Sequence, residues 1–421
     1  MTVDPETVER WRARLAQDAW QRSDTIFAWL ANEAFALRPI ALRHPLLFYL
    51  GHLPAFAYNQ IARGVLGDPA LDEAFDQLFA RGIDPESESD APTLSSWPAL
   101  DEVVRYRDRA RAAVLERVPR ILAKSDDVLC ARGRVLSLVI EHELMHHETL
   151  MYLLAQCPEG TARPSGLRLG KEGGGRRARP VEVAPGSVRL GAAFDEVDFG
   201  WDNEFGDETR SVERFWLDDL PVRNQDWLDY MGRYPTTAQA PLTPASWVRS
   251  GDAWAVRTIV GPVSMERASG WPVQVSGTQA RAYCEHMGGR LATEAELHHA
   301  ARAREGRDAY AEPALVGWSA LSPDAVGSAP SSASAFGVEE LIGNGWEWTS
   351  TVFAPRQGFT PWARTYPGYS ADFFDGAHDV VFGASWATDT LLLRPSFRNW
   401  YRRDYPYAFT SFRVAYDRAP R

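Results

Sequence analysis

One stretch near position 140 constrains this chain more than any other. Residues 132–154 read RGRVLSLVIEHELMHHETLMYLL, an apolar run of helical period with histidines and glutamates at its centre. His142 and His146 are four residues apart, so both imidazoles lie on one face of a helix, one turn from each other. Buried charge is costly unless it is paired or bound to metal, so the cluster predicts a metal site on a core helix.

Two interpretations of this motif differ in what the acidic residues do. His142-Glu143-Leu144-Met145-His146 matches the zinc metalloprotease signature, in which Glu143 is the general base. In the second, His142 and His146 bind metal with a third histidine from elsewhere in the chain. Glu148 lies roughly 200° around the helix from His146, so it is expected to support a ligand or to pack the helix rather than to reach the ion.

The first 165 residues predict a helical domain. The predicted helices are Thr7–Leu37, Leu42–Leu66, Ala70–Gly82, Leu100–Leu122 and Arg132–Leu154. Four long helices and a shorter piece favour an antiparallel four-helix bundle, and bundles build metal sites from facing helices. His52 lies in the second long helix among large apolar residues, and it is the predicted third ligand.

Composition limits the classes of function. The 421 residues suggest two domains, and a net charge of −11 gives no electrostatic footprint for nucleic acid. No run is long and apolar enough to predict a membrane span, and the charged N-terminus does not resemble a secretory signal, so a cytoplasmic protein is expected. Cys130, Cys157 and Cys284 are few and widely spaced, which favours buried thiols over a disulfide framework.

The second half of the chain has a different character. Residues 166–180, which contain KEGGGRRAR, predict a flexible linker, and residues 181–421 predict a loop-rich α+β domain. Short strands are expected at Val181–Val183, Ser187–Leu190 and Phe215–Leu217, with one helix near Ser276–Ala303.

Motifs spread over this half resemble the formylglycine-generating-enzyme fold, a C-type-lectin-like domain. They are Asp202-Asn203-Glu204, Pro221-Val222-Arg223-Asn224, Gly289 to Glu296, Gly343 to Thr349, Gly383-Ala384-Ser385-Trp386 and Phe412-Arg413. The sulfatase-activating members use a cysteine pair near the C-terminus. No cysteine follows Cys284, so that activity is not expected.

A DinB-type bundle followed by this lectin-like domain is similar to the iron-dependent sulfoxide synthases of ergothioneine and ovothiol biosynthesis. The resemblance implies Fe(II) held by His52, His142 and His146, dioxygen as co-substrate, and a chalcogen joined to C2 of the imidazole of hercynine. The chain length and an altered donor pocket favour the related selenoneine synthase branch, which uses a selenosugar. Cysteine and γ-glutamyl-cysteine are the alternative donors, and no protein partner is implied.

The resemblance also implies substrate-contacting residues. Tyr366 and Tyr369 are similar in spacing to the catalytic tyrosines of the ergothioneine enzymes, and Asn399-Trp400 matches the family's C-terminal signature. The other expected substrate contacts are Arg398, Tyr401, Arg402, Arg403, Tyr405 and Met145. Tyr401 and Tyr405 replace an acidic residue and an arginine expected for γ-glutamyl-cysteine, and Met145 replaces a common glutamine. The sequence leaves open whether Asn203, Glu204 and Asn344 bind a structural calcium.

Two alternatives from other classes stay open at this point. One is a zinc hydrolase with Glu143 as base, although no downstream ligand stands at a recognised spacing. The other is a non-catalytic binding module, in which a lectin-like domain is presented on a bundle. The iron enzyme requires His52, the zinc hydrolase requires Glu143, and the binding module requires no metal.

Overall fold

The computed structural model describes residues 3–41, 43–80, 97–234, 242–302, 310 and 312–420. The chain divides into two compact units. The helical unit comprises Met1–Ser165, Asp195–Trp201 and Pro361–Pro367, and the second unit comprises Gly166–Phe194, Asp202–Thr360 and Gly368–Arg421. Two short segments from the second half of the sequence therefore belong to the helical unit.

Six α-helices build the helical unit within the described residues. They are α1 Pro5–Ala13, α2 Gln21–Ala28, α3 Leu46–Tyr58, α4 Glu73–Leu78, α5 Leu100–Leu122 and α6 Arg134–Ala155. The π-helix Arg14–Trp20 joins α1 to α2, and the π-helix Asn59–Val65 continues α3. The inventory of four long helical pieces and a short one is confirmed.

The boundaries differ from the predictions in several places, and α4 spans Glu73–Leu78 rather than the predicted Ala70–Gly82. The first helical piece stops at Ala28, because Leu30 leaves the helix to form a β-bridge with Ala162. The second begins at Leu46 because Pro45 has extended backbone, with ψ at 159°, and so stands outside the first turn. The end of the predicted Ala70–Gly82 helix, from residue 81 on, lies outside the described residues.

The second unit is an α+β fold of small sheets and short helices. Its strands are β1 Pro180–Val183, β2 Gly186–Leu190, β3 Glu208–Val212, β4 Phe215–Asp218, β5 Trp247–Ser250, β6 Ala253–Val256, β7 Val263–Ser264, β8 Trp346–Val352, β9 His378–Phe382, β10 Asn399–Arg402, β11 Thr410–Ser411 and β12 Ala415–Tyr416. Its helices are α7 Asn224–Arg233, α8 Met265–Ala268, α9 Gly277–His286, α10 Glu294–Ala300 and α11 Gly368–Ala371. The three predicted strands are confirmed, and the predicted Ser276–Ala303 helix is two helices, with residue 303 outside the described residues.

The strands form four sheets, in the orders β1-β4-β12, β10-β9-β8-β11, β2-β3 and β5-β6-β7. Pairing is antiparallel except between β11 and β8. Tryptophans fill an apolar core of this unit, where Trp227, Trp271 and Trp348 are fully buried. Arg413 crosses the interior and binds Glu347, both about 1% exposed. Such a pair demands near-complete hydrogen bonding, and Arg413 also donates to the carbonyl groups of Asp218 and Glu339.

The segment predicted as a flexible linker is instead held against the second unit. The Lys171 carbonyl accepts a hydrogen bond from the indole of Trp271 at 2.8 Å. Arg176 forms ion pairs with Asp219 and Glu339 at 2.7 and 2.8 Å. The arginine contacts and the small glycines therefore hold this segment close to the second unit. The approach is so close that a Cβ at Gly270 would lie 2.1 Å from the Gly173 carbonyl oxygen. Within the described ranges, none of the helices combines the length and apolar character that a bilayer crossing requires.

Candidate metal centre

Three histidines from two helices converge in the helical unit. His52 of α3 and His142 and His146 of α6 each offer a ring nitrogen, and these atoms lie within 4.8 Å of one another. The ring centroids are 5.1 Å apart for His52 and His142, 5.0 Å for His52 and His146, and 4.6 Å for His142 and His146. Among the described residues, this is the one group of histidine, cysteine and acidic side chains arranged to hold an ion.

Burial keeps the three imidazoles neutral. It lowers the pKa of His52 to about 4 and the pKa values of His142 and His146 well below the ordinary value of 6.5. For His142 and His146 a neighbouring histidine adds to this effect. Neutral imidazole is the form that binds a metal, because its unprotonated nitrogen carries the lone pair.

Hydrogen bonding orients His52. Its Nδ1 lies 2.9 Å from the backbone carbonyl oxygen of Phe79. A carbonyl accepts only, so Nδ1 carries the proton and Nε2 presents its lone pair. Fixing the tautomer and ring through the other nitrogen is the usual support of a metal-binding histidine.

The arrangement fits a transition metal. The buried Nδ1 of His146 has no hydrogen-bond partner among the described residues, and buried polar atoms are nearly always satisfied by protein, water or an ion. Imidazole nitrogens suit iron, zinc, copper and nickel. Three such ligands leave further coordination positions for substrates.

Aromatic side chains line the histidine cluster, and two of them lie beside His142. Phe56 of α3 stacks on His142, with ring centroids 3.5 Å apart and an interplanar angle of 8°. The ring of Tyr366, which lies far along the sequence, is 5.3 Å from that of Phe56 and 6.2 Å from that of His142. The structure therefore brings Tyr366 to the three histidines. Phe56 was missed by the sequence analysis, although it stands four residues after His52 on the same helix face.

Glu143 is turned away from this cluster. Its carboxylate accepts a hydrogen bond from Ser23 at 2.5 Å, and Ser23 Oγ lies 2.7 Å from Nε2 of His147. Arg111 of α5 approaches the same carboxylate at 3.7 Å. A metalloprotease base must instead face water on the metal, so the geometry does not supply the hydrolase predicted from the HExxH pattern.

Two further residues of α6 stand outside the cluster. Glu148 is buried, with 6% of its surface exposed, and Met145 is half-buried. Glu148 does not belong to the group whose ligand atoms converge. Its role in supporting a ligand or packing the helix stays a prediction.

Trp400 and Tyr369 belong to an aromatic cluster of the second unit. Trp400 stacks on Phe353 at 4.1 Å between ring centroids and meets Tyr369 edge-on at 5.3 Å. The Asn399 side-chain oxygen accepts from the Trp400 amide at 2.9 Å, which leaves its amide nitrogen for other partners. Tyr401 and Tyr405 stack on each other with ring planes 6° apart.

Two of the three arginines predicted to bind substrate are used structurally. Arg398 is 5% exposed and binds Glu294 through Nε and Nη2, while its Nη1 donates to the Ala354 carbonyl. Arg403 donates to Asp379 and to the Gly376 carbonyl. These contacts give Arg398 and Arg403 structural roles, and their contact with substrate stays a prediction. Arg402 is exposed, with a 3.4 Å contact to Asp404.

Glu204 and Asn344, two of the three residues named for calcium, take part in hydrogen-bond networks. Glu204 forms an ion pair with Arg394 and accepts from Ser396. Asn344 accepts from the Asp324 amide and donates to the Asp324 carbonyl and to Glu340. A carboxylate already neutralised by an arginine is a poor calcium ligand, so these contacts do not support a structural calcium.

Comparison with known proteins places these observations in a family. A profile described as the DinB superfamily matches residues 15–150, and one described as a sulfatase-modifying factor enzyme 1-like domain matches residues 171–418. The chain is 32% identical to a hercynine oxygenase of Mycolicibacterium thermoresistibile, covering 89% of this chain and 88% of that protein. A hercynine oxygenase of Mycobacterium tuberculosis is also 32% identical, with 89% and 92% covered.

A longer relative matches nearly all of the chain. Ergothioneine biosynthesis protein 1 of Neurospora crassa is 27% identical over 98% of this chain. The chain spans 58% of the length of that protein.

Proposed function

The chain belongs to the hercynine oxygenase family, and we propose that it is an oxygen-dependent non-heme iron enzyme that joins a chalcogen to C2 of the imidazole of hercynine. The observation that carries the proposal is the convergence of the buried His52 and His142 with the half-buried His146, beside Tyr366. The relatives support the substrate, because two of them, each 32% identical, are hercynine oxygenases.

The proposed reaction consumes one dioxygen for each bond formed. Hercynine loses the hydrogen at C2, the donor loses the hydrogen on sulfur or selenium, and the new carbon–chalcogen bond joins them. Dioxygen accepts four electrons: one oxygen atom ends on the chalcogen as a sulfoxide or selenoxide, and the other leaves as water with both hydrogens. Iron held by His52, His142 and His146 would supply the binding of dioxygen and of the soft chalcogen.

The side chains of the helical unit have separate tasks. The Phe79 carbonyl fixes the tautomer of His52, and Phe56 covers one face of His142 and keeps water from it. The Tyr366 hydroxyl is the proposed acid, which delivers a proton to the oxygen atom that leaves as water. Glu148 is proposed to support the ligand helix and Met145 to border the substrates.

Hercynine recognition is assigned to the aromatic cluster of the second unit. A trimethylammonium group is best held over aromatic faces, which Trp400 and Tyr369 offer. The free amide nitrogen of Asn399 can donate to the hercynine carboxylate or imidazole.

The leading proposal for the donor is a selenosugar, and a thiol such as cysteine is the alternative. The uncharged stacked pair Tyr401 and Tyr405 supports this choice, since γ-glutamyl-cysteine carries two carboxylates and an ammonium group that need charged partners. Arg402, which is exposed, is the proposed contact for any acidic group on the donor.

The test is anaerobic reconstitution with ferrous iron, followed by air, hercynine and one donor per tube: a selenosugar, cysteine or γ-glutamyl-cysteine. Products are read by mass. A hercynine adduct carrying selenium in preference to sulfur is the expected result. An adduct with thiols only would replace the selenosugar by a thiol, and no adduct with any donor would contradict the proposed function.

A further inference from the structure

The segment that carries Tyr366 is a short turn, distant in sequence from the helices it joins. Residues 361–367 belong to the helical unit, although the rest of that unit ends at residue 201. The amides of Thr365 and Tyr366 both donate to the Trp362 carbonyl, at 3.1 and 3.0 Å. Trp362 therefore organises the turn that sets the position of Tyr366.

The indole of Trp362 ties this turn to a second segment. Its Nε1 donates to the Gly200 carbonyl at 3.3 Å. The next residue, Trp201, is fully buried and donates from its own indole to Glu141 at 3.0 Å. Glu141 precedes the histidine His142 on α6, so a continuous chain of contacts links Tyr366 to the helix that carries two of the three histidines.

A second anchor lies on the other side of the turn. Arg364 donates to Asp127 at 2.9 Å. The Arg364 carbonyl oxygen also lies so near the π-helix after α3 that a Cβ at Gly64 would be 2.9 Å from it. Gly64 thus permits a backbone approach that a larger residue would block.

We propose that Trp362 and the Arg364–Asp127 pair are positioning residues that hold the Tyr366 ring against His142 and thereby decide whether oxidation ends in the carbon–chalcogen bond or in the donor alone. The consequence for products rests on the proposed function, whereas the seating of the turn does not. The indole donor and the ion pair act on different residues of one turn, so each can be removed separately.

The experiment uses the full chain with W362F, which keeps an aromatic ring but removes the indole donor, and with D127N, which removes the charge that binds Arg364. D101N is the matched control, because Asp101 binds Arg105 at 2.7 Å on the exposed face of α5. Hydrogen exchange of iron-free protein is read at residues 361–367. The second readout is the ratio of hercynine adduct to oxidised donor in the reconstituted enzyme, with Y366F as reference.

Each lost hydrogen bond should speed exchange in the turn by about two- to tenfold, with D101N unchanged. The product ratio should move toward oxidised donor, in the direction of Y366F, while bound iron stays stoichiometric. Unchanged hydrogen exchange in both variants would show that these contacts do not hold the turn in place. Faster exchange with an unchanged product ratio would show that the position of Tyr366 does not decide the product. A wild-type enzyme that forms no adduct would refute the proposed function, and exchange would still decide the seating.

Discussion

The two polar faces of α6 carry similar residues, but they differ in whether the polar groups of those residues have hydrogen-bond partners on neighbouring helices. On the paired face, Glu143 and His147 are bound to Ser23 of the neighbouring helix. On the histidine face, His142 and His146 lie beside His52, and His142 stacks on Phe56. Buried polar groups that satisfy one another hold a helix in place, and those that do not are available to a ligand.

An unpaired nitrogen alone does not define a metal site. His147 also has a buried Nδ1 without a hydrogen-bond partner among the described residues. Burial lowers its pKa to about 3, as it lowers that of His52 to about 4. The difference is that, in the part of the chain that the structure describes, His147 belongs to no group of three or more converging ligand atoms. Convergence, rather than burial or neutrality, separates the two faces.

The largest expected effect comes from breaking the histidine face. His52→Ala removes one of three ligands, so hercynine adduct formation should fall to background, because a site with two ligands no longer fixes the ion. Product mass after reconstitution measures this. His286→Ala, at an exposed histidine of the second unit, is the control and should leave turnover unchanged. Full activity of His52→Ala would remove this histidine from the site.

Arg398 tests whether a paired buried charge is structural in the second unit as well. Arg398→Met leaves Glu294 with a single buried arginine partner, Arg356, and should lower the free energy of unfolding by about 3–5 kcal/mol. Urea unfolding measures it. Arg402→Met, at the exposed arginine four residues later, should change stability by less than about 0.5 kcal/mol. Equal effects of the two changes would contradict the structural role of Arg398.

Acid should weaken the same cluster. Burial opposes the ionisation of Glu294, but Arg398 and Arg356 outweigh it and lower its pKa to about 2 from the ordinary 4.5. A lowered pKa in the folded state means that Glu294 stabilises the fold above pH 4.5, and that this stability is lost as the pH falls toward 2. Between pH 4.5 and pH 2 the free energy of unfolding of Glu294→Gln should therefore fall by about 3 kcal/mol less than that of the wild type. Urea unfolding measures this difference. Parallel pH profiles would contradict the ion pair.

The smallest effect is expected on the paired face of α6. Ser23→Ala leaves the Glu143 carboxylate and Nε2 of His147 without their shared hydroxyl, at a cost of about 1–3 kcal/mol. Thr25→Ala, which removes an exposed hydroxyl of the same helix, is the control. Thermal unfolding measures both variants, and bound iron should be unchanged. Loss of iron from Ser23→Ala would show that the two faces are not independent.

Much of the helical unit could be predicted, because the two patterns that indicate it each involve residues close together in the sequence. Apolar residues at helical spacing predicted the helices, and the four-residue spacing of His142 and His146 predicted their shared face. His52 was predicted from its place among large apolar residues in a facing helix. The π-helices and the helix end at Ala28 were not, because they depend on packing partners distant in sequence.

Contacts with partners that are distant in the sequence could not be predicted. Arg398 stands beside Asn399-Trp400 and was expected to meet substrate, but Glu294, more than 100 residues away, binds it. The KEGGGRRAR segment looked flexible by composition, but its carbonyls and arginines have fixed partners. The approach of residues 361–367 to α6 depends on tertiary contacts such as that of Trp362 with Gly200, which no local pattern encodes.

We propose that the ion binds at the histidine face of α6 and not at the face beside it. Adjacent residues of one helix provide the direct test: anaerobic titration with ferrous iron of the wild type, His146→Asn and His147→Asn, with bound iron counted per chain. The account predicts one iron per chain in the wild type and in His147→Asn, and loss of stoichiometric iron in His146→Asn. Iron retained by His146→Asn, or lost from His147→Asn alone, would contradict it.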